Sequence, residues 1–309
     1  MNRTMAAISI LGLSMPTVAH EYVTLDELNA GFGIDLAKTE ITTETVAPGI
    51  HVLFGAGGNI VASIGEQGVL IVDSQFPEMV PRIAKKVSEL GGDGIDFTIN
   101  THWHFDHADG NALLGRDGTW IVTQINSRRM MAGEHDVDLV GVVFMQPPYP
   151  KEAMPVITYT DHMQFHFNDE TIDLLHFGPA HTTGDTAVIF RSSNVVHMGD
   201  VGNSGYPFID AANGGDIDGM IHFCKKVLKE LNKDSIVVPG HGPILAYVDL
   251  ANYVLMLETV RDRISKMIHE GMSLEQVITA KPTAEFDEKY GAGGDPGRLI
   301  DRAYMSLSR

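Results

Sequence analysis

An α/β fold made of two β-then-α halves facing each other is what this 309-residue sequence predicts, and three observations carry the prediction. Short apolar runs separated by tight Gly-rich turns occur in two sets, at 50–72 and at 163–198. Each set is followed by apolar residues at helical spacing, such as Met79, Ile83, Val87 and Leu90. No low-complexity stretch, internal repeat or composition break divides the chain, and 44% hydrophobic residues are enough for one large core.

In chain order, residues 22–46 are weakly periodic and read as a lead-in with one short helix at 25–30. The runs 50–54, 59–64 and 68–72 are β-rich and separated by Gly55-Ala56-Gly57-Gly58 and Gly65-Glu66-Gln67-Gly68, the pattern of an antiparallel meander whose third strand ends on Asp73. A helix over 77–90 leads to a strand at 96–100, then a strand at 120–122 and a helix at 124–131. Pro147, Pro148, Pro150 and Pro155 mark 133–155 as an irregular flap or bridge, because proline removes the backbone donor that regular structure needs. The second half reads as strands at 163–167, 171–177, 186–190 and 195–198, a helix at 216–231, a short strand at 235–238 and a long helix at 250–268. Peripheral helices follow at 274–280 and 297–307.

The stretch Thr101-His102-Trp103-His104-Phe105-Asp106-His107 stands out from this framework. Imidazole and carboxylate are costly to bury unpaired, so three His and an Asp crowded after a strand read as side chains converging on metal. Partners are expected in equally tight turns after other strands. Three sites fit: His181 in Gly178-Pro179-Ala180-His181, Asp200 in Met198-Gly199-Asp200, and His241 in Pro239-Gly240-His241-Gly242. A single catalytic zinc takes three protein ligands and a water, so His102, His104, Asp106, His107, His181, Asp200 and His241 together exceed one ion and point to a dinuclear centre. Imidazoles with carboxylates suit two Zn2+, and the same set accepts iron or manganese.

Cys224 is the single cysteine, which excludes an intramolecular disulfide and a Cys-rich zinc module. Its neighbours Ile217, Met220, Ile221, Val227, Leu228 and Leu231 follow helical spacing, so it is expected as a buried apolar residue. Most remaining histidines fall within or beside expected strands and helices. His135, beside Glu134, is the further candidate for a substrate contact. Trp103 and Phe105 are expected to brace the His-rich stretch, while Phe144, Met145, Tyr149 and Tyr206 either wall a substrate site or plug the interface between the halves.

With these residues in place the chain resembles the metallo-β-lactamase superfamily of hydrolases. The resemblance rests on His102-x-His104-x-Asp106-His107, the Gly-Pro-Ala-His turn at His181, Gly-Asp at Asp200, Pro-Gly-His at His241, and Asp73 at an early strand end, all in family order over 50–245. It implies a four-layer αββα sandwich. It also implies one zinc on His102, His104 and His181, a second on Asp106, His107 and His241, and Asp200 bridging them. Two close cations would activate a water without any Ser or Cys nucleophile. Asp106 and Asp200 would take catalytic parts, Asp106 by orienting that water or passing a proton to the leaving group. Asp73 and Asp185 are expected to orient ligands or close turns.

A net charge of -18 gives no electrostatic footing on nucleic acid or anionic membranes, and no run of apolar residues is long enough to span a bilayer. The implied substrate is a small molecule, and the oligomeric state stays open. Arg3, an apolar run over 5–15 and Pro16-Thr17-Val18-Ala19 have the layout of an export signal cleaved before His20, which places the expected domain at 20–309 in the periplasm or outside the cell. Lactamases of the best-known subclass carry Cys at the position of Asp200 and Lys three residues on, where this chain has Asn203. The C-terminal helices show no basic cluster suited to glutathione. The segment Gly178-Pro179-Ala180-His181-Thr182-Thr183-Gly184-Asp185 nevertheless resembles that of lactamases, which makes β-lactam ring hydrolysis the specific expectation; thioester, lactone or phosphodiester hydrolysis and a non-catalytic metal-binding role are the alternatives.

Overall fold

Alternation along single strands sets the layering of the molecule. In the computed structural model, which describes residues 21–291 and 295–309, strand Gly68–Val72 sends Leu70 and Val72 to one face of its sheet and Val69 and Ile71 to the other. Both faces are apolar because both are covered, which explains an uninterrupted hydrophobic run instead of polar alternation. The expected export signal at 1–19 lies outside the described residues.

A seven-stranded sheet runs in the order Ile157–Tyr159, Trp120–Gln124, Phe97–Asn100, Gly68–Val72, Ile60–Gly65, Ile50–Phe54 and Thr42–Ala47. The strands of the expected meander pair antiparallel, and Phe97–Asn100 joins Gly68–Val72 in parallel after the helix Val80–Glu89 crosses over. The second sheet has six strands, His162–Phe167, Glu170–Leu175, Ala187–Phe190, Val195–His197, Ile236–Val238 and Leu245–Ala246. It uses the same device: an antiparallel run, then the helix Ile217–Glu230 carrying the chain to a parallel partner.

Between the sheets, Val52, Val61, Leu70, Val72, Ile99 and Val122 meet Ile172, Leu174, Val188, Phe190, Val195 and Val238. Met79, Val80, Ile83 and Val87 cover the outer face of the first sheet, and helices Ile217–Glu230 and Tyr247–His269 cover the outer face of the second. The layers are therefore helix, sheet, sheet, helix, the αββα sandwich. Cys224 is fully buried among the apolar side chains under the second helical layer.

Besides the short strands Ile157–Tyr159 and Leu245–Ala246, which the sequence reading lacks, two longer regions differ from it. The lead-in contains strand Thr42–Ala47, whose first four residues are exposed; it is held by backbone pairing at the sheet edge and so shows no hydrophobic periodicity. The segment expected to be irregular forms a hairpin in its first half. His135–Asp138 and Val142–Gln146 pair through a turn with positive φ at Val140 and Gly141, the primed geometry that suits strand twist, and Glu21–Val23 adds a parallel third strand. The prolines fall at 147–155, after the hairpin, and do not interrupt it.

Candidate metal centre

The candidate side chains gather where strands of both sheets end. After Phe97–Asn100 the chain passes through His102 and caps the one-turn helix Phe105–Ala108 with His104, so part of the expected loop is helical. His181 follows Glu170–Leu175, Asp200 lies in the turn Gly199–Val201 after Val195–His197, and His241 follows Ile236–Val238. Glycine permits the close approach. A Cβ on Gly58 would stand 2.2 Å from the His107 ring, and one on Gly240 would stand 1.9 Å from Asp200 Oδ1.

The hydrogen bonds behind the imidazoles fix which nitrogen of each faces inward. Thr101 Oγ1 donates to Asp73 Oδ2 at 2.8 Å and therefore accepts from His102 Nδ1 at 3.0 Å, which leaves His102 Nε2 bare, buried and without a partner among the described residues. His104 donates from Nε2 to Asp210 Oδ2 at 3.0 Å, and His181 donates from Nδ1 to the Phe208 carbonyl at 2.8 Å. Their other nitrogens, His104 Nδ1 and His181 Nε2, then face each other at 2.9 Å as two lone pairs. His107 donates from Nδ1 to Asp73 Oδ2 at 2.7 Å, which turns its Nε2 toward His241 Nε2 at 3.2 Å and Asp200 Oδ1 at 3.1 Å. Converging lone pairs repel one another unless a cation sits among them, and this donor set fits that requirement.

Three groups could hold an ion: His102, His104 and His181; His102, His107 and Asp200; and Asp106, His107 and His241. In each, the ligand atoms lie within 4.8 Å of one another. Asp200 reaches toward both ends, with Oδ2 3.8 Å from His181 Nε2 and Oδ1 3.5 Å from His241 Nε2. Asp106 Oδ2 lies 3.1 Å from His241 Nε2. All seven residues expected from the sequence are thus brought to one place.

Electrostatics divide the cluster. Burial, reinforced by His107, His181 and His104, drives His102 well below the usual imidazole range, so it stays neutral. At His107 burial also opposes charge, but Asp200, Asp106 and Asp73 outweigh it and raise the group well above that range. The position among these carboxylates therefore calls for positive charge, which a proton on Nε2 or a metal ion in its place supplies. Burial likewise works against the Asp106 carboxylate, yet His107 and His241 hold it down to about 2.

Asp73, buried and at φ 68°, accepts from Thr101 N and Oγ1 and from His107, so it orients a ring of the cluster. Asp185 accepts from Ala180 N and from Thr182 N and Oγ1, closing the turn that carries His181. Two functional neighbours carry no sequence signal. Asp210, which fixes His104, lies in Phe208-Ile209-Asp210-Ala211 with no motif around it. Asn59 Nδ2 donates to the Pro239 and Gly242 carbonyls at 2.9 Å each and holds the His241 turn from the opposite half.

The cluster opens on its His241 and Asp106 side into a cavity of about 490 Å³. Phe32, Ile34, Phe105, Val137, Leu139 and Phe208 form apolar wall, and Asn203, Tyr206, Lys289 and Arg298 add polar groups. Of the aromatic and Met candidates for a substrate wall, only Tyr206 lines this space. Phe144 packs against Phe105, Tyr149 donates to the Trp103 carbonyl, and Met145 is exposed on the hairpin. Trp103 is buried with Ala108, Met131 and Val137, a bracing position. His135 sits edge-on behind it at 5.2 Å, away from the cavity.

Comparison with known proteins agrees with this geometry. Residues 54–241 match the family model of the metallo-beta-lactamase superfamily. A probable metallo-hydrolase of Methanocaldococcus jannaschii is 23% identical over 197 residues, 62% of this chain and 90% of that protein. Among solved structures, a metallo-beta-lactamase from Pontibacter korlensis superposes with a TM-score of 0.59 at 15% identity, covering 71% of this chain and 99% of that one. The sec-alkylsulfatase Pisa1 from Pseudomonas sp. superposes with a TM-score of 0.67 at 13% identity over 85% of this chain, which spans 50% of that longer protein. The span matched by the family model begins in the first meander strand and ends on His241, taking in every candidate ligand, and the chain belongs to the metallo-beta-lactamase superfamily as a metal-dependent hydrolase.

Proposed function

We propose that the protein is a two-zinc hydrolase that cleaves an acyl bond in a small molecule, with the β-lactam ring as the first substrate to test. The observation that carries this reading is the set of inward nitrogens on His102, His104, His107 and His181, each fixed by a hydrogen bond on the far side of its ring. His102, His104 and His181 would hold one ion, Asp106, His107 and His241 the other, and Asp200 lies between the groups with an oxygen directed to each. A bound divalent pair supplies water activation near neutral pH and polarises the scissile bond.

The chain's own groups do the rest. Asp106 is ionised and a fifth exposed, so its carboxylate can orient a water at the cavity mouth and take its proton toward the leaving atom. Asp73 and Asp210 hold imidazoles in the required tautomer. The apolar wall excludes water around the bound substrate. Asn203 lines the cavity with Oδ1 accepting from Gly205 N at 2.9 Å, which leaves its amide nitrogen to donate to a substrate carbonyl.

A second reading, sulfate-ester hydrolysis, takes its support from the alkylsulfatase, whose superposition covers 85% of this chain against 71% for the lactamase. Export would place either activity outside the cytoplasm, consistent with the signal-like start at 3–19. Among the described residues no helix is long and apolar enough to cross a membrane. Purified protein assayed with a chromogenic cephalosporin, with and without EDTA, tests the first reading. Chelator-sensitive ring opening supports it. Turnover confined to lactone, thioester, phosphodiester or sulfate esters removes the lactam assignment, and absence of turnover on the whole panel removes the hydrolytic one.

A further inference from the structure

Two cations line the cavity beside the candidate metal centre and have no acidic partner among the described residues. Arg298 lies in the first turn of helix Pro296–Leu307 and is half-buried; Lys289 lies in the short helix Asp287–Tyr290 with Nζ 5.0 Å above the Tyr290 ring. Every other described arginine is hydrogen-bonded or ion-paired through its side chain: Arg82, Arg128, Arg129 and Arg309 to carbonyl oxygens, the rest to carboxylates. Arg298 has no such partner among them. In a chain of net charge -18 an unpaired guanidinium is not forced by a shortage of acids. Two carboxylates lie three positions away in sequence: Asp301 pairs with Arg302, and Asp295, which also lines the cavity, is engaged in capping its own helix, accepting from Gly297 N at 2.8 Å. Residues 292–294, Ala-Gly-Gly, bring no acidic side chain.

The wall between these cations and the cluster is continuous. The turn Gly199–Val201 carries Asp200, and the cavity-lining segment that follows it runs through Asn203 to Tyr206. Tyr206 donates from its backbone N to the Tyr290 carbonyl at 3.0 Å, and its ring lies 6.1 Å from the Tyr290 ring. The segment that presents Asp200 is thus tied to the helix that presents Lys289. Asn203, three positions after Asp200, brings no charge to this wall.

We infer that Lys289 and Arg298 form an anion-binding subsite for the substrate, so that this enzyme takes a small amphipathic anion: an apolar body against Phe32, Ile34, Leu139 and Phe208, and a carboxylate held by the two cations. The subsite needs only the cavity, whereas the role of its occupant as substrate rests on the hydrolase reading. A guanidinium and an ammonium on one anion give charge-assisted hydrogen bonds that a neutral isostere does not receive.

The test compares 4-phenylbutyrate with neutral 4-phenylbutyramide by calorimetry, on the protein as purified and after EDTA treatment, because a carboxylate can also bind metal. The acid is expected to bind about 10-fold tighter than the amide in both forms, a preference weakened by salt. Arg298→Gln and Lys289→Gln should each reduce that preference and together remove it with metal content unchanged, whereas Lys233→Gln, on an exposed lysine outside the cavity lining, should leave it intact. A preference that survives in the double variant, or that vanishes on removal of metal, overturns the inference, as does failure of both ligands to bind. Loss of the hydrolase reading would appear separately, as absence of turnover with the binding preference retained.

Discussion

Replacing Asp210 tests the ligand-orienting network at a residue that no motif marks. Asp210 is fully buried and accepts from His104 Nε2 at 3.0 Å, while Asn213 also donates to it. Removing the carboxylate frees the His104 ring to adopt the other tautomer and turn its lone pair away from the cluster. A hydrogen bond to a charged group contributes about 1.5–3 kcal/mol, equivalent to roughly 10- to 150-fold in binding. Loss of a group that orients a metal-bound histidine costs about 10–100-fold in metal affinity, so the two magnitudes agree. Asp210→Asn keeps the volume and an acceptor oxygen and should weaken zinc binding about 10-fold; Asp210→Ala should weaken it about 100-fold. The assay is zinc competition against a chromogenic chelator, with thermal unfolding of the metal-stripped proteins run alongside to separate affinity from folding. Zinc affinity in Asp210→Ala within about twofold of the unaltered protein would refute the reasoning.

His104→Ala and Asp106→Ala should abolish turnover, while His135→Ala, behind Trp103 and outside the cavity, should keep most of it; steady-state rates on any accepted substrate decide this. Gly58→Ala drives a methyl group into the His107 ring and should cost about 1–3 kcal/mol of stability, read as a lower unfolding midpoint in denaturant. Burial pushes the Cys224 thiol up, well beyond the usual thiol range, with Asp185 adding to it. A raised value means the reactive thiolate is absent until the pH passes it, so iodoacetamide at about pH 8.5 should label the chain only after unfolding. Native labelling at the unfolded rate would contradict that burial.

The seven candidate ligands are legible in sequence because they crowd directly after apolar strands: His181, Asp200 and His241 in turns marked by Gly or Pro, and the other four in the stretch after Phe97–Asn100 that runs into the one-turn helix Phe105–Ala108. The strand-helix order is legible wherever both faces of an element are buried, as in Gly68–Val72. Thr42–Ala47 is not, because an edge strand held by backbone pairing leaves polar side chains in solvent. Residues 135–146 are hidden by the prolines that follow them. Asp210 and Asn59 act through bonds to partners 106 and 180 residues away, and such pairings have no local pattern. Lys289 and Arg298 lie on separate C-terminal helices, so the sequence shows no basic cluster where the fold brings both to one cavity.

The central claim is that inward-facing imidazoles and carboxylates hold two divalent ions. Metal analysis of the purified protein by mass spectrometry, paired with His181→Ala, tests it most directly. Two equivalents of zinc per chain are expected, falling to one in the variant because Asp106, His107 and His241 retain theirs. A content of one or less in the unaltered protein after zinc loading, or two in the variant, would contradict it.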